Sequence, residues 1–263
     1  MIWLNTFLFV ILLGLNQPQD SLKLIQTFPA QATNFEVDKL GNIYLIDKSK
    51  LIKLNRTGEK LHEYSNPMLG DISSVDVGRP LRLLVFYRES NQLQFLNNAL
   101  SEITSPIEFD NHEIYSVQLA CNSAMNCIWL FDTETRQLIQ YDQNMGIVQK
   151  SPSIDQIIEG DCLPNMLFEK QNQVYLNCPG YGIIIFDQFG SFSKKFPKPG
   201  IKSFCSESGN YYFQVGYEYY KFSGENFEEI KIPLPFSAQT KLIKYINGKF
   251  YVLGDEEIKV FGT

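Results

Sequence analysis

The sequence predicts an all-β protein, a six-bladed β-propeller of four-stranded antiparallel blades, and three observations carry that prediction. Short runs rich in Ile, Leu, Val, Phe and Tyr recur between Gly, Asn, Asp and Ser turns along the chain. The third run of each unit ends in a turn-former, at Asn55, Asn97, Asp142, Asp187 and Ser223, and intervals of roughly 35 to 45 residues are the period of propeller blades. No segment shows helical periodicity.

Blade 1 reads as an inner strand A at Asn34 to Asp38, strand B at Ile43 to Asp47, strand C at Leu51 to Asn55 and an outer strand D at Lys60 to Ser65. The pattern returns in QLQFLNNALSEI (Gln92 to Ile103), CIWLFDTETRQLIQYDQNMGIV (Cys127 to Val148) and QVYLNCPGYGIIIFDQFGSFSKKF (Gln173 to Phe196), and in weaker form twice more. Inner strands are expected near Phe35, Val75, Val117, Met166, Phe204 and Ile243. The sixth unit stops after its third strand, because only Gly262 and Thr263 follow Glu257 to Phe261. Ser21 to Phe28, SLKLIQTF, is a strand with no blade of its own. It is expected to supply the outer strand of blade 6, closing the ring without a raw edge.

The stretch FEVDKLGNIYLIDKSKLIKLNRTGE, Phe35 to Glu59, resembles an NHL-type propeller repeat. Asp38, Gly41, Asn42, Ile43, Tyr44, Asp47, Leu54 and Gly58 stand at the positions of that pattern. Blade 2, with PLRLLVFYRESNQL, has no Gly-Asn, and blade 5 lacks both aspartates. The resemblance implies a propeller, and since NHL-like propellers commonly serve as rigid platforms it implies a binding module; fold by itself does not fix function.

The chain has 263 residues, 44% of them hydrophobic and 14% aromatic, which is ample for one core and gives no sign of a linker. Residues 20–263 are read as one domain. Ahead of it, Thr6 to Leu15 is an apolar run too short to span a bilayer comfortably and followed by polar Asn16 to Asp20, so residues 1–19 are read as a signal peptide and the protein as exported: periplasmic, peripheral to an outer membrane or extracellular.

Five cysteines test the compartment. With NSAMN as the A–B turn of blade 3, Cys121 and Cys127 would face each other. With EKQN as that of blade 4, Cys162 and Cys178 would lie near-opposite at the open end of the hairpin. Cross-strand Cα separations of about 4.5 to 5.5 Å permit a disulfide in each case, as suits an oxidising compartment. Cys205 remains as a buried thiol.

The sequence carries no H-E-x-x-H, G-x-S-x-G, P-loop, G-x-G-x-x-G or EF-hand loop, so zinc proteolysis, elbow-serine hydrolysis, nucleotide binding and that class of calcium site lose their warrant, and no cofactor is expected. A net charge of −6 with scattered Lys and Arg argues against nucleic acid as a partner. The reading that remains is a non-enzymatic scaffold binding a protein or cell-envelope component through loops of one face. Its candidate contacts are Arg88 and Arg136 in B–C loops, His112 between blades 2 and 3, Asp161 in the long PSIDQIIEGDC connection, and Tyr181 in CPGYG. Two alternatives stay open. In one the chain is similar to six-bladed lactonases or lyases, with Asp71, Asp110, Glu159 and Asp161 gathered around a divalent ion at the channel mouth; in the other the channel holds a small ligand for sensing or transport.

Overall fold

A computed structural model describes residues 22–109, 114–234 and 240–262. The first strand, β1 (Lys23–Pro29), precedes blade 1 but belongs to the last blade. Blade 1 comprises β2 (Asn34–Val37), β3 (Ile43–Asp47), β4 (Lys50–Leu54) and β5 (Lys60–Ser65), and blade 2 comprises β6 (Ser74–Asp76), β7 (Leu83–Tyr87), β8 (Gln92–Leu96) and β9 (Ile107–Glu108). Blade 3 holds β10 (Val117–Asn122), β11 (Ile128–Asp132), β12 (Gln137–Asp142) and β13 (Gly146–Lys150). Blade 4 holds β14 (Met166–Lys170), β15 (Gln173–Cys178), β16 (Gly182–Asp187) and β17 (Phe192–Phe196). Blade 5 is β18 (Ile201–Glu207), β19 (Asn210–Val215), β20 (Glu218–Ser223) and β21 (Glu229–Ile232); β22 (Leu242–Ile246), β23 (Lys249–Leu253) and β24 (Glu257–Gly262) follow. Each sheet is a four-stranded antiparallel meander, and the sixth has the order β1-β24-β23-β22. β1 lies along β24 in the register Lys23 with Gly262 through Pro29 with Glu257. The expected closure is therefore what the chain adopts.

The turns explain why the strands stop where they do. Asp38 accepts hydrogen bonds from Leu40 N (2.8 Å), Asn42 N (2.9 Å), Asn42 Nδ2 (2.8 Å) and Tyr44 OH (3.1 Å), and Gly41 takes the left-handed conformation (φ 83°) that this A–B turn requires. At the C–D turns the same chemistry recurs. Asn55 Oδ1 accepts from Thr57 N and Glu59 N, Asn97 Oδ1 from Ala99 N and Ser101 N, and Asp187 Oδ1 from Phe189 N and Ser191 N, all near 2.9 Å.

Middle strands are buried on both faces because each blade is packed between two others. Ile43 to Ile46, Leu83 to Tyr87 and Ile128 to Asp132 are buried without interruption, which is why they read as continuous apolar runs rather than alternating ones. The core is a ring of apolar clusters, one per interface. Phe35, Leu45, Leu253 and Val260 join blades 6 and 1; Tyr44, Leu51, Val85 and Tyr87 join 1 and 2; Leu84, Phe86, Leu130 and Tyr141 join 2 and 3. Trp129, Phe131, Leu176 and Ile184 join 3 and 4, Tyr175, Phe204 and Phe213 join 4 and 5, and Tyr219, Ile243 and Phe250 join 5 and 6. Polar bridges cross the same interfaces near the inner strands, including Asn122 N to Asp76 Oδ2 (2.7 Å), Trp129 Nε1 to Glu169 Oε2 (2.8 Å), Asn177 Nδ2 to Ile201 O (3.0 Å) and Ser203 Oγ to Ile243 O (2.6 Å).

One cysteine expectation is corrected. Cys162 and Cys178 form a disulfide with a Cα separation of 5.4 Å, whereas Cys121 and Cys127 are free thiols. In the blade 3 hairpin Asn122 pairs with Ile128 and Cys121 with Trp129, while Ser123 N donates to Cys127 O at 2.9 Å. The two cysteines thus occupy different rungs of the ladder and do not face. Cys121 packs in the cluster between blades 3 and 4, and Cys127 ends the turn. Cys205 is a half-buried thiol whose sulfur donates to Tyr245 O.

Candidate functional site

The antiparallel order sorts the loops. A–B and C–D turns gather at one end of the blades, the lower face; B–C turns and D–A connections gather at the other, the upper face. On the upper face, the connection between β13 and β14, residues 151–165, is held against blades 3 and 4 by several restraints. Ile154, Ile158 and Cys162 are buried in the apolar cluster with Trp129 and Val174. Ser153 caps a 3-10 turn at Ile154–Gln156 by accepting from Asp155 N. Arg136, in the B–C turn of blade 3, makes an ion pair from Nε to Asp155 Oδ1 (2.7 Å) and donates from Nη1 to Cys162 O (3.1 Å). The disulfide then fixes Cys162 to the end of β15.

Beside this loop the B–C turn of blade 4 carries Tyr181, whose amide donates to Cys178 O at 2.8 Å and whose ring is half-buried against the same cluster. The turn depends on Gly182. At φ 130° a Cβ there would lie 2.2 Å from Phe196 O and 2.4 Å from Lys198 N, closer than any side chain tolerates. Lys195 on β17 donates to Ile157 O (2.7 Å), and its ammonium lies 5.9 Å from the Tyr181 ring centroid. Together Asp155, Gln156, Ile157, Ile158, Glu159, Tyr181 and Lys195 line an open concavity of about 480 Å³. Its chemistry is that of recognition: an aliphatic floor, one phenol, two carboxylates and one ammonium, with no hydrogen-bonded nucleophile and base among the lining residues. Leu163, 64% exposed, stands close by in sequence to Cys162 and adds apolar surface to the same connection.

The sequence-derived candidates divide accordingly. Arg136 and Tyr181 meet at this concavity, one clamping the connection and the other lining it. Asp161 is exposed on the same connection, beside Cys162. Arg88 shares the face but serves blade 2 and 3 packing, donating from Nε to Gln118 O (3.2 Å). His112 lies outside the described residues. Asp155 and Lys195 went unsingled in the sequence because each looks like a solvated surface charge; only the fold brings the basic stretch of β17 beside the connection. Of the proposed metal set, Asp110 lies outside the described residues, and among the described residues no three His, Cys, Asp or Glu side chains converge as a metal site.

Near the channel, Glu36 of β2 is paired with Lys244 of β22. Burial pushes the Glu36 carboxyl above its ordinary range, Lys244 opposes that shift, and the nearby Asp76 adds to it. Asp76 is likewise pushed up by burial against the lowering effect of Gly78 N and Asn122 N. Burial also raises the Cys205 thiol to about 12.

No family model matches the chain, and no curated protein matches it. Solved structures do. A catalytically inactive virginiamycin B lyase from Staphylococcus aureus, solved with quinupristin, matches at a TM-score of 0.62 and 10% identity, over 90% of this chain and 99% of that one. The β-propeller domain of Cps50 (Swd1) from Myceliophteria thermophila gives 0.63 at 9% identity, covering 92% and 100%. BamB from Moraxella catarrhalis gives 0.53 at 11%, covering 88% and 82%. At these identities the likeness is one of fold, and the chain is a six-bladed β-propeller.

Proposed function

We propose that this propeller is an exported, non-enzymatic binding module whose upper face at blades 3 and 4 receives a segment of a partner protein in the cell envelope or outside the cell. The observation that carries the reading is the restrained connection 151–165. An exposed loop of this length fixed by a disulfide, an ion pair and buried apolar residues presents a preorganised surface, and preorganisation lowers the ordering cost of binding. Half-buried Tyr181 and aliphatic Ile157, both packed against the same cluster and lining the concavity with Asp155, Glu159 and Lys195, have the make-up of an interface centre with a polar border. The disulfide favours an oxidising compartment, and no helix among the described residues is long and apolar enough to cross a membrane.

The test is capture from a cell-envelope extract by the immobilised chain, with quantitative mass spectrometry. A stoichiometric protein held by the wild type and lost on Tyr181→Ala or Leu163→Ser supports the reading. Equal retention by those variants, or a small molecule bound with no protein, overturns it.

A further inference from the structure

We propose that the lower face, across blades 6, 1, 2 and 3, rests on an anionic lipid surface. This surface is separate from the concavity, on the opposite end of the blades. Its A–B turns are bonded to each other between blades 6 and 1 and between blades 2 and 3. Asn247 Nδ2 donates to Lys39 O (2.9 Å) between blades 6 and 1, and Arg79 Nη2 to Ala124 O (2.6 Å) and Arg82 Nη1 to Asn126 O (3.0 Å) between blades 2 and 3.

On these turns aliphatic tips alternate with cations. Leu40 is 70% exposed beside Lys39, Leu81 is 80% exposed between Arg79 and Arg82, and Met125 stands 48% exposed at the turn they bond. Leu24 and Ile25 are exposed at the lower end of β1, beside Lys23. The turn that carries Leu81 is tied down on both sides. Arg82 N closes the turn on Arg79 O (3.0 Å), and the Arg82 guanidinium stacks 3.8 Å from the Phe95 ring centroid.

The charges make the choice of partner. Lys23, Lys39, Arg56, Arg79, Arg82 and Lys249 all lie at this end of blades 6, 1 and 2, and none of them forms a salt bridge among the described residues. Of the acids in the same turns, Asp38 is buried under its four donors, Glu59 accepts from Asn55 Nδ2, and Asp76 accepts from Gly78 N and Asn122 N beside Arg79. On blades 3 to 5 the lower turns instead carry Asp142, Asp187, Glu207, Glu225 and Glu228. In a chain of net charge −6, this segregation leaves cations in excess of acids where the aliphatic tips are, although Asp76 lies beside Arg79 and Asp142 of blade 3 beside Arg82. Shallow insertion of single aliphatic side chains flanked by Lys and Arg is the chemistry of peripheral binding to anionic headgroups. A protein partner would favour aromatic tips and a contiguous apolar centre. The chain enters β1 at this same end, through Lys23.

The experiment is hydrogen–deuterium exchange on the full chain with vesicles of phosphatidylcholine alone or of phosphatidylcholine with phosphatidylglycerol. Phosphatidylglycerol vesicles are expected to slow exchange in the turns 38–42 and 77–82 but not in the upper turns 179–182 and 216–217. High salt removes that protection, and Leu40→Ser with Leu81→Ser, both at exposed positions, weakens vesicle partition about tenfold. Binding without protection of these turns, equal protection by phosphatidylcholine alone, or no binding at all overturns the proposal.

Discussion

Cys162 and Cys178 meet while Cys121 and Cys127 do not, and the difference lies in the rung each residue occupies. The hairpin of blade 3 closes so that Cys121 faces Trp129, a registration that sequence spacing constrains only to within a residue or two. Burial raises the three remaining thiols above their ordinary value, Cys121 well above it and Cys205 to about 12, with Cys127 raised as well, which disfavours the thiolate that reacts. Alkylation at mild alkaline pH under native conditions is expected to leave all three unmodified, to label all three after unfolding without reductant, and to label Cys162 and Cys178 only once reductant is added. Rapid native labelling of Cys121 would contradict its burial. The channel carboxylates make a second prediction. Because burial raises the folded-state affinity of Glu36 and Asp76 for protons above that of the unfolded chain, their protonation favours the folded state. That contribution is complete below the ordinary carboxylate range and is lost as pH rises through the elevated folded value. The Tm of the wild type should therefore gain on that of Glu36→Gln as pH falls from neutrality toward the ordinary carboxylate range; a difference that stays constant over that fall would count against a raised Glu36 carboxyl.

At the scale of elements, β1 and the connection 151–165 do different kinds of structural service. β1 supplies Phe28, 6% exposed, to the cluster between blades 6 and 1, and it covers the edge of β24. Deleting residues 22–28 removes a large buried side chain and opens an edge, and should lower Tm by more than about 10 °C. A truncated chain with unchanged Tm in calorimetry would show that β1 is dispensable. The connection 151–165 is tied by a disulfide across a sequence separation of 16, worth about 3 kcal/mol if chain entropy dominates. Most strands were legible in the sequence because the turn residues after them make local bonds that need no tertiary partner, as Asp38, Asn97 and Asp187 do. Blade 2 was less so. Its outer strand is only Ile107–Glu108, and the buried Gln94 side chain takes over part of the pairing by donating to Thr104 O at 2.7 Å. No local pattern announces a side chain that replaces a backbone ladder.

On the scale of the whole molecule, periodicity carried the ring, the blade count and the closing strand, since each depends on counting units rather than on any one residue. The candidate site was legible only in part. Arg136 could be placed in a B–C loop by that count and Tyr181 in the CPGYG stretch, but their convergence on Asp155 and Lys195 depends on how the connection leans across the blade 3 and 4 interface. The lower face was not visible at all, because Leu40 and Leu81 look like any isolated surface leucines until the ring sets their turns side by side.

The closing seam has one further property. Lys23 and Gly262 are partners in the register of β1 and β24, so the two ends of the described chain leave the ring side by side from the same end of an antiparallel pair. Tension applied between them does not shear the hydrogen bonds together but opens them in succession, from Lys23 toward Pro29. The contact that completes the ring at equilibrium is thus its weakest line under load, and a machine pulling on either terminus would peel β1 away before it disturbed any other blade.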